Sequence, residues 1–219
     1  MLQSLTAVYV GCNSSEFNLI DTGPEESGGC EQRSAGTGVA GSIMANRFSF
    51  VFGMNGPSVQ FDVDAATSLA IVEVGCVALD ERKKNSTMSS CTGIKTVLTP
   101  LTWYHRIGLG HMCPQGRCFS FDQSASGWVL GEAASSLAID NLTETIEGVQ
   151  VQDEGRYYLG TIGSVVIKHM GVTSNMGTPH AATMQGLVAE GCRQASVCPT
   201  SIDVVECHAE GQIMKDAVE

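Results

Sequence analysis

Hydrophobic and polar positions change rhythm several times along this chain. Ala7-Val8-Tyr9-Val10-Gly11 is a short continuous apolar run ending in glycine, the pattern of a short strand. Residues 38–54 place small residues early and aromatic residues late, which predicts a helix. Gly56-Pro57 makes a turn, and Val59, Phe61 and Val63 then alternate with Ser58, Gln60 and Asp62 as in a strand. From Ala66 through Leu69, Ile71, Val72, Val74 and Val77 to Leu79 the chain is apolar on most faces, which predicts a buried helix with Asp64 or Thr67 as its cap. A strand follows within Met88–Leu98, broken near Gly93, and Pro100 opens a short helix through Trp103, Tyr104 and His105.

The second half reads less evenly. Phe119 and Phe121 alternate with Cys118, Ser120 and Asp122 as in a strand, and Ala134–Ile139 predicts another. Asp140–Gly148 reads as a short helix-like turn, Tyr157–His169 as a long strand and Gly171–Pro179 as a loop. His180–Ala195 reads as a helix with Leu187, Val188 and Cys192 on its apolar side, and Ser201–Cys207 as a final strand leading into His208. This alternation predicts an α/β domain without tandem repeats. Between the elements, residues 12–37 are rich in Ser, Gly, Glu and Asp and predict a surface loop, and residues 80–85 form a charged, solvated connector.

Composition narrows the functional classes. The 219 residues carry a formal net charge of -11, which disfavours nucleic acid and anionic membranes as partners. The 43% of hydrophobic residues suffices for a core, yet no apolar run reaches the length of a membrane span. Without a basic flank and apolar core at Met1–Leu5, the expected location is intracellular, cytoplasmic or plastid, not secreted. The nine cysteines are an odd number without a Cys-x-x-Cys pair; Cys113 and Cys118 are nearest each other but lack partners for a zinc site. They are expected to be reduced, mostly buried thiols, with no metal bound. The sequons at Asn13, Asn85 and Asn141 are expected to be chance matches.

Three stretches carry candidate chemistry. The segment 56–69 runs a strand straight into a helix N-terminus, where free N–H groups and the helix dipole favour negative charge. Residues 114–132 contain Pro114-Gln115-Gly116-Arg117-Cys118-Phe119-Ser120-Phe121-Asp122, then Ser126-Gly127-Trp128-Val129-Leu130-Gly131-Glu132. Arg117, Asp122 and Glu132 form either an acid–base set or, as we expect, a buried network of ion pairs and hydrogen bonds. Near the end stands Glu206-Cys207-His208-Ala209-Glu210-Gly211, with Asp216 and Glu219 beyond it. Asn46 and Arg47 are expected to tie their helix to neighbouring loops, and His105, among aromatic residues, to be structural.

These stretches, with Ala45-Asn46-Arg47-Phe48-Ser49, resemble in order the motifs of the β-ketoacyl synthases, the condensing enzymes of polyketide and fatty-acid synthesis. The resemblance implies a thiolase-like layered α/β/α/β/α fold, of which the chain would hold most of the N-terminal half only. That N-terminal part would comprise the loop 12–37, a nucleophile-type strand–helix 58–80, a hairpin region 114–139 and a histidine motif 206–211. It implies chemistry by a cysteine thiolate that accepts an acyl chain, backbone N–H groups that hold the oxyanion, and imidazoles that assist decarboxylation of a malonyl unit. Aligned without gaps from Gly56 to Leu69, the nucleophile position falls on Ala65. A two-residue deletion would instead bring Thr67 to it, without an identifiable base, and Cys76 lies about three helical turns further on. His208 falls on the first histidine of the family, no second histidine follows it, and Glu210 and Gln212 replace threonines that help surround the carrier arm.

The family binds no cofactor; its substrates arrive on the phosphopantetheine arm of an acyl carrier protein. Three readings follow: a condensing domain that has lost condensation, a non-catalytic chain-length-factor-like dimer partner of an active ketosynthase, and a fragment without function. The partners expected are an acyl carrier protein or a ketosynthase, in a homo- or heterodimer joined along the strand Ser58–Val63.

Overall fold

The computed structural model describes residues 4–12, 16, 37–38, 40–79, 86–152, 155, 157–175 and 177–219. Most of the predicted loop 12–37, the connector 80–85, Asn13, Asn85 and Cys30 lie outside the described residues. The chain forms two units: residues 1–99 with 132–161, and residues 100–131 with 162–219.

The first unit is built on strand β1 (Thr6–Cys12), every residue of which is buried. It lies between β2 (Ser58–Phe61) and β3 (Met88–Lys95), parallel to both, and β4 (Ala133–Asp140) closes the sheet antiparallel to β3. Side chains alternate across a strand. Ala7 and Tyr9 therefore meet Ile71, Ala78 and Cys91 on one face, and Val8 and Val10 meet Ala45 on the other. The two covering helices are α2 (Thr67–Ala78) and α1 (Gly41–Phe52) respectively. Helix α2 can sit low on the sheet because Gly11 and Gly93 lie beneath its first turn. A Cβ on Gly11 would stand 2.7 Å from Thr67 Cγ2, and one on Gly93 would collide with the Ser68 side chain.

Several sequence expectations meet a different outcome. Strand β3 runs unbroken through Gly93, since that glycine serves the close approach of α2 and opens no bulge. Only one face of α2 is buried; Leu69 and Val77 are exposed. Neither Asp64 nor Thr67 caps it in the expected way, because a 3-10 turn (Asp64–Ala66) precedes the helix and Ala66 occupies the cap position. The helix-like turn expected over 140–148 is instead an antiparallel hairpin of β5 (Thr143–Ile146) and β6 (Val149–Gln152). Its two-residue loop, Glu147-Gly148, has φ of 50° and 83°, matching the twist of the flanking strands.

The second unit contains α3 (Pro100–Gly108), α4 (Ala181–Ala195) and the short α5 (Ile213–Val218). Residues 114–124 form successive turns rather than a strand, closed at Met112–Trp128 by one isolated bridge. The strands expected over 157–169 and 201–207 pair with no other strand among the described residues; Pro199–Ser201 is a 3-10 turn. Alternating apolar residues become a strand only where a neighbour supplies the ladder hydrogen bonds, and Tyr157, Leu159, Val204 and Val205 stand exposed without one. No residue of α4 is buried, its expected apolar side included. No helix of the described residues is long and apolar enough to cross a membrane.

The eight described cysteines form no disulfide and divide more evenly than expected. Cys12, Cys91 and Cys113 are buried, Cys76, Cys192 and Cys207 are half-buried, and Cys118 and Cys198 are exposed. Burial beside Tyr9 and Ile71 pushes the Cys91 thiol up to about 11, so it stays protonated and unreactive at neutral pH. In a thiol titration of the native protein at pH 7.5, about the usual assay value, Cys118 and Cys198 are expected to react first and Cys91 only on unfolding. For the core, Ile71→Ala should lower the unfolding free energy by about 3 kcal/mol in urea, since it empties a fully buried site. Leu69→Ala, on the exposed side of the same helix, should change it by less than about 0.5 kcal/mol.

Candidate functional site

The strand-to-helix turn of the first unit is held by one hydroxyl. Thr67 is buried, and its Oγ1 donates to the Asp64 carbonyl at 2.7 Å and accepts the Val63 N–H at 2.7 Å. This bracket turns the chain from the end of β2 into α2. It also fixes Asp64 at φ 48°, a left-handed conformation that aspartate and asparagine adopt more readily than most residues other than glycine. The Asp62 carboxylate accepts the Asp64 N–H at 3.1 Å. Ala65 stands exposed in the middle of the turn, flanked by the exposed Asp64 and Ala66. A methyl has no lone pair, so position 65 can line a site but cannot attack a carbonyl.

Arg117, Asp122 and Glu132 are all exposed, so the buried network of ion pairs expected of them is not formed. Asp122 folds back on its own loop, accepting the Ser124 N–H at 2.8 Å and its hydroxyl at 2.6 Å. Those hydrogen bonds hold its carboxyl below the usual range. Glu132 belongs to the first unit, where it accepts the Val97 N–H at 2.7 Å. Nearby, the buried Glu16 accepts from Lys95 Nζ at 3.1 Å and from the Leu98 N–H at 2.8 Å, so two carboxylates shape the segment leaving β3. Arg47 Nη2 donates to the Thr37 carbonyl at 3.1 Å, tying α1 to the preceding chain as expected. Asn46 and His105 are exposed.

His208 belongs to the second unit, in a loop built almost entirely from backbone groups and carboxylates. Ala209 and Gly211 have φ of 47° and 74°, and Phe121 in the facing turn has φ 57°. Two side chains at the C-terminal end hold these residues, Asp216 on α5 and Glu219 just after it. Asp216, 5% exposed, accepts the Phe121 N–H at 2.8 Å and the Gly211 N–H at 3.1 Å. Glu219 spreads its carboxylate over the N–H groups of His208 and Ala209, the latter at 2.7 Å. From the other side Ser120 Oγ donates to the Ala209 carbonyl at 2.6 Å, and the Gly127 N–H to the Gly211 carbonyl at 2.9 Å. Beside the imidazole, Glu210 Oε2 lies 3.1 Å from His208 Nε2, and Glu210 Oε1 pairs with Lys215 Nζ. Residues 118–127 and 208–219 are thus packed into one network within the second unit.

Sequence reasoning identified Asp216 and Glu219 only as matches at the end of a pattern. Their work as clamps on the His208 loop depends on a turn near residue 121 that is far away in sequence. The signal in the chain was their spacing, i and i+3, which puts both carboxylates on one side of a short helix. Among the described residues no group of three or more His, Cys, Asp or Glu is placed to hold a metal ion.

Comparison with known proteins sets these motifs in context. The family model "Beta-ketoacyl synthase, N-terminal domain" matches residues 1–145, and "Beta-ketoacyl synthase, C-terminal domain" matches residues 159–219. The second match starts close to the division between the two structural units at 161/162, a boundary that the motifs did not reveal. Over 215 residues the chain is 28% identical to a phenolphthiocerol/phthiocerol polyketide synthase of Mycobacterium tuberculosis, covering 98% of this chain and 13% of that protein. A second phenolphthiocerol/phthiocerol polyketide synthase protein of the same organism is 27% identical over 217 residues, covering 99% and 11%. Among solved structures, an oxazolomycin ketosynthase domain from Streptomyces albus superposes with a TM-score of 0.80 at 23% identity, covering 98% of this chain and 35% of that one. The ketosynthase from module 6 of the bacillaene synthase of Bacillus subtilis gives 0.77 at 23%, covering 99% and 35%. The chain therefore spans a small part of its curated relatives and about a third of the solved ketosynthases, and its fold is theirs.

The clamp yields a direct expectation. Asp216→Ala leaves two N–H groups without their charged acceptor, at a cost of about 2–3 kcal/mol. Amide exchange at Phe121 and Gly211 should accelerate more than exchange in β1, which belongs to the first unit.

Proposed function

This chain belongs to the β-ketoacyl synthase family, and we propose that it is a ketosynthase domain of a polyketide synthase in which carbon–carbon condensation has been lost. The observation that carries the reading is Ala65, exposed at the centre of the 62–66 turn before α2. A condensing enzyme must first take the acyl chain from its carrier onto a nucleophile, and at this turn the chain offers a methyl. Asp64 stands next to it, and a carboxylate there disfavours, without forbidding, a thiolate, oxyanion or enolate beside it. The Asp62 carboxylate already takes the Asp64 N–H, so that donor does not serve a substrate oxygen. On this reading His208, in the second unit, is a retained imidazole of the family, its backbone held by Glu219. The substrates would be acyl thioesters on the phosphopantetheine arm of an acyl carrier protein, and the protein itself would bind no cofactor.

A second reading, that the chain serves as a non-catalytic dimer partner, is favoured by the sheet order. Among the described residues strand β2 is the last of the four and pairs only with β1. Val59 is exposed on it, and on the adjacent α1 so are Phe50, Val51 and Phe52. An unpaired strand edge beside apolar surface is suited to joining a second chain. Sedimentation at micromolar concentration should then give a dimer, or a heterodimer with an added ketosynthase. A monomer under both conditions overturns this second reading.

The nucleophile test is a mass measurement. Incubated with an acyl-pantetheine thioester, the parent protein should gain no acyl group in the peptide 56–69. Ala65→Cys should gain one there, the thiolate attacking the carbonyl carbon and the pantetheine thiol leaving. An adduct on the parent peptide at Thr67 or Ser68 would refute the loss of the nucleophile, and an unmodified Ala65→Cys would refute the placement of the site.

A further inference from the structure

His208 and Glu210 form a pair whose hydrogen-bonding roles are decided by chemistry. The His208 side chain is 62% exposed and that of Glu210 only 13%. One oxygen of the Glu210 carboxylate faces His208 Nε2 at 3.1 Å, and the other pairs with Lys215 Nζ. The backbone on either side of the ring is pinned as well, since Glu219 holds the N–H groups of 208 and 209. Ionised carboxylates only accept hydrogen bonds, and a neutral imidazole has one N–H to give. The contact therefore requires the proton on Nε2 and leaves the lone pair on Nδ1. Lys215, ion-paired with the other oxygen, balances the carboxylate's charge on the side away from the ring.

We infer that Glu210, braced by Lys215, is a positioning residue that commits the Nε2 proton of His208 to itself and leaves Nδ1 as the nitrogen available to a ligand. His208 then accepts a proton or hydrogen bond from an O–H or N–H group, such as water or an amide of a pantetheine arm, and does not donate from Nε2 to an enolate oxygen. The inference rests on the proposed role of His208 as the imidazole of the site, and is independent of Ala65. It gives Glu210 a task of its own, where the resemblance only marked it as a replaced threonine.

Imidazole 15N NMR tests it, because the chemical shifts of the two ring nitrogens report the tautomer directly. The protein has five histidines, and His208→Asn identifies the resonance by its loss. With the ring neutral, the parent should show Nε2 protonated and Nδ1 bare, the two signals at their widest separation. In Glu210→Thr the separation should shrink as the two tautomers mix, while the other four histidines keep their shifts. Lys215→Met should move His208 in the same direction by a smaller amount, and it supports or refutes the inference by itself if Glu210→Thr does not fold. A parent ring protonated on Nδ1, or a separation unchanged in both variants, would overturn the inference. Acylation of Ala65→Cys is expected to proceed whichever tautomer is found, so the two results separate failure of the inference from failure of the site assignment.

Discussion

Strand β1 has no solvent side. Tyr9 and Ala7 point at α2, Val8 and Val10 at α1, and the backbone between them is paired in parallel with β2 on one edge and β3 on the other. Parallel pairs need covered faces and crossover connections, so burying β1 fixes where both helices must lie. It also fixes the turn at 62–66: β2 ends level with Gly11, and the absence of a side chain there lets Thr67 come down onto the sheet. The bracket that Thr67 makes between Val63 and Asp64 is then the only short way from the strand into the helix. The geometry of the 62–66 turn is thus a consequence of core packing, whatever residue stands at 65.

The second unit is organised by polar groups. Around His208 the buried or partly buried partners are carboxylates, hydroxyls and backbone amides, with Asp216 in the place an apolar side chain would take in a core. Such a network is costly to break at one point, because each missing acceptor leaves a donor unpaired. It also positions more sharply than apolar contacts do, since every partner has a direction. Three residues of left-handed backbone, at 121, 209 and 211, are tolerated because the carboxylates of Asp216 and Glu219 bond the amides around them.

Most of the first unit was legible in the chain. The apolar run at 7–11, the alternation at 58–63 and the apolar stretch at 66–79 gave β1, β2 and α2 with small errors at their ends, because burial of those elements is written in their own residues. The hairpin 143–152 was missed although Thr143–Ile146 and Val149–Gln152 alternate, since Glu147-Gly148 lacks the asparagine or aspartate that usually announces such a turn. The stretches 157–169 and 201–207 carry strand composition without a strand's neighbours, and composition cannot supply a partner. Around His208, the order of the motifs was readable. The clamp of Asp216 on Phe121 was not, because it joins residues 95 apart. Nor was the Lys215 brace, which depends on how the loop enters α5.

On the proposed reading, a turn that offers only the Ala65 methyl and an imidazole whose Nε2 proton is held by Glu210 would leave no means of making or stabilising an enolate. The most direct measurement is release of CO2 from a malonyl-pantetheine thioester by the purified protein. The account predicts release at the uncatalysed rate, unchanged by His208→Asn. Faster release that is abolished by His208→Asn would contradict it, and would mean that the histidine still does the family's chemistry.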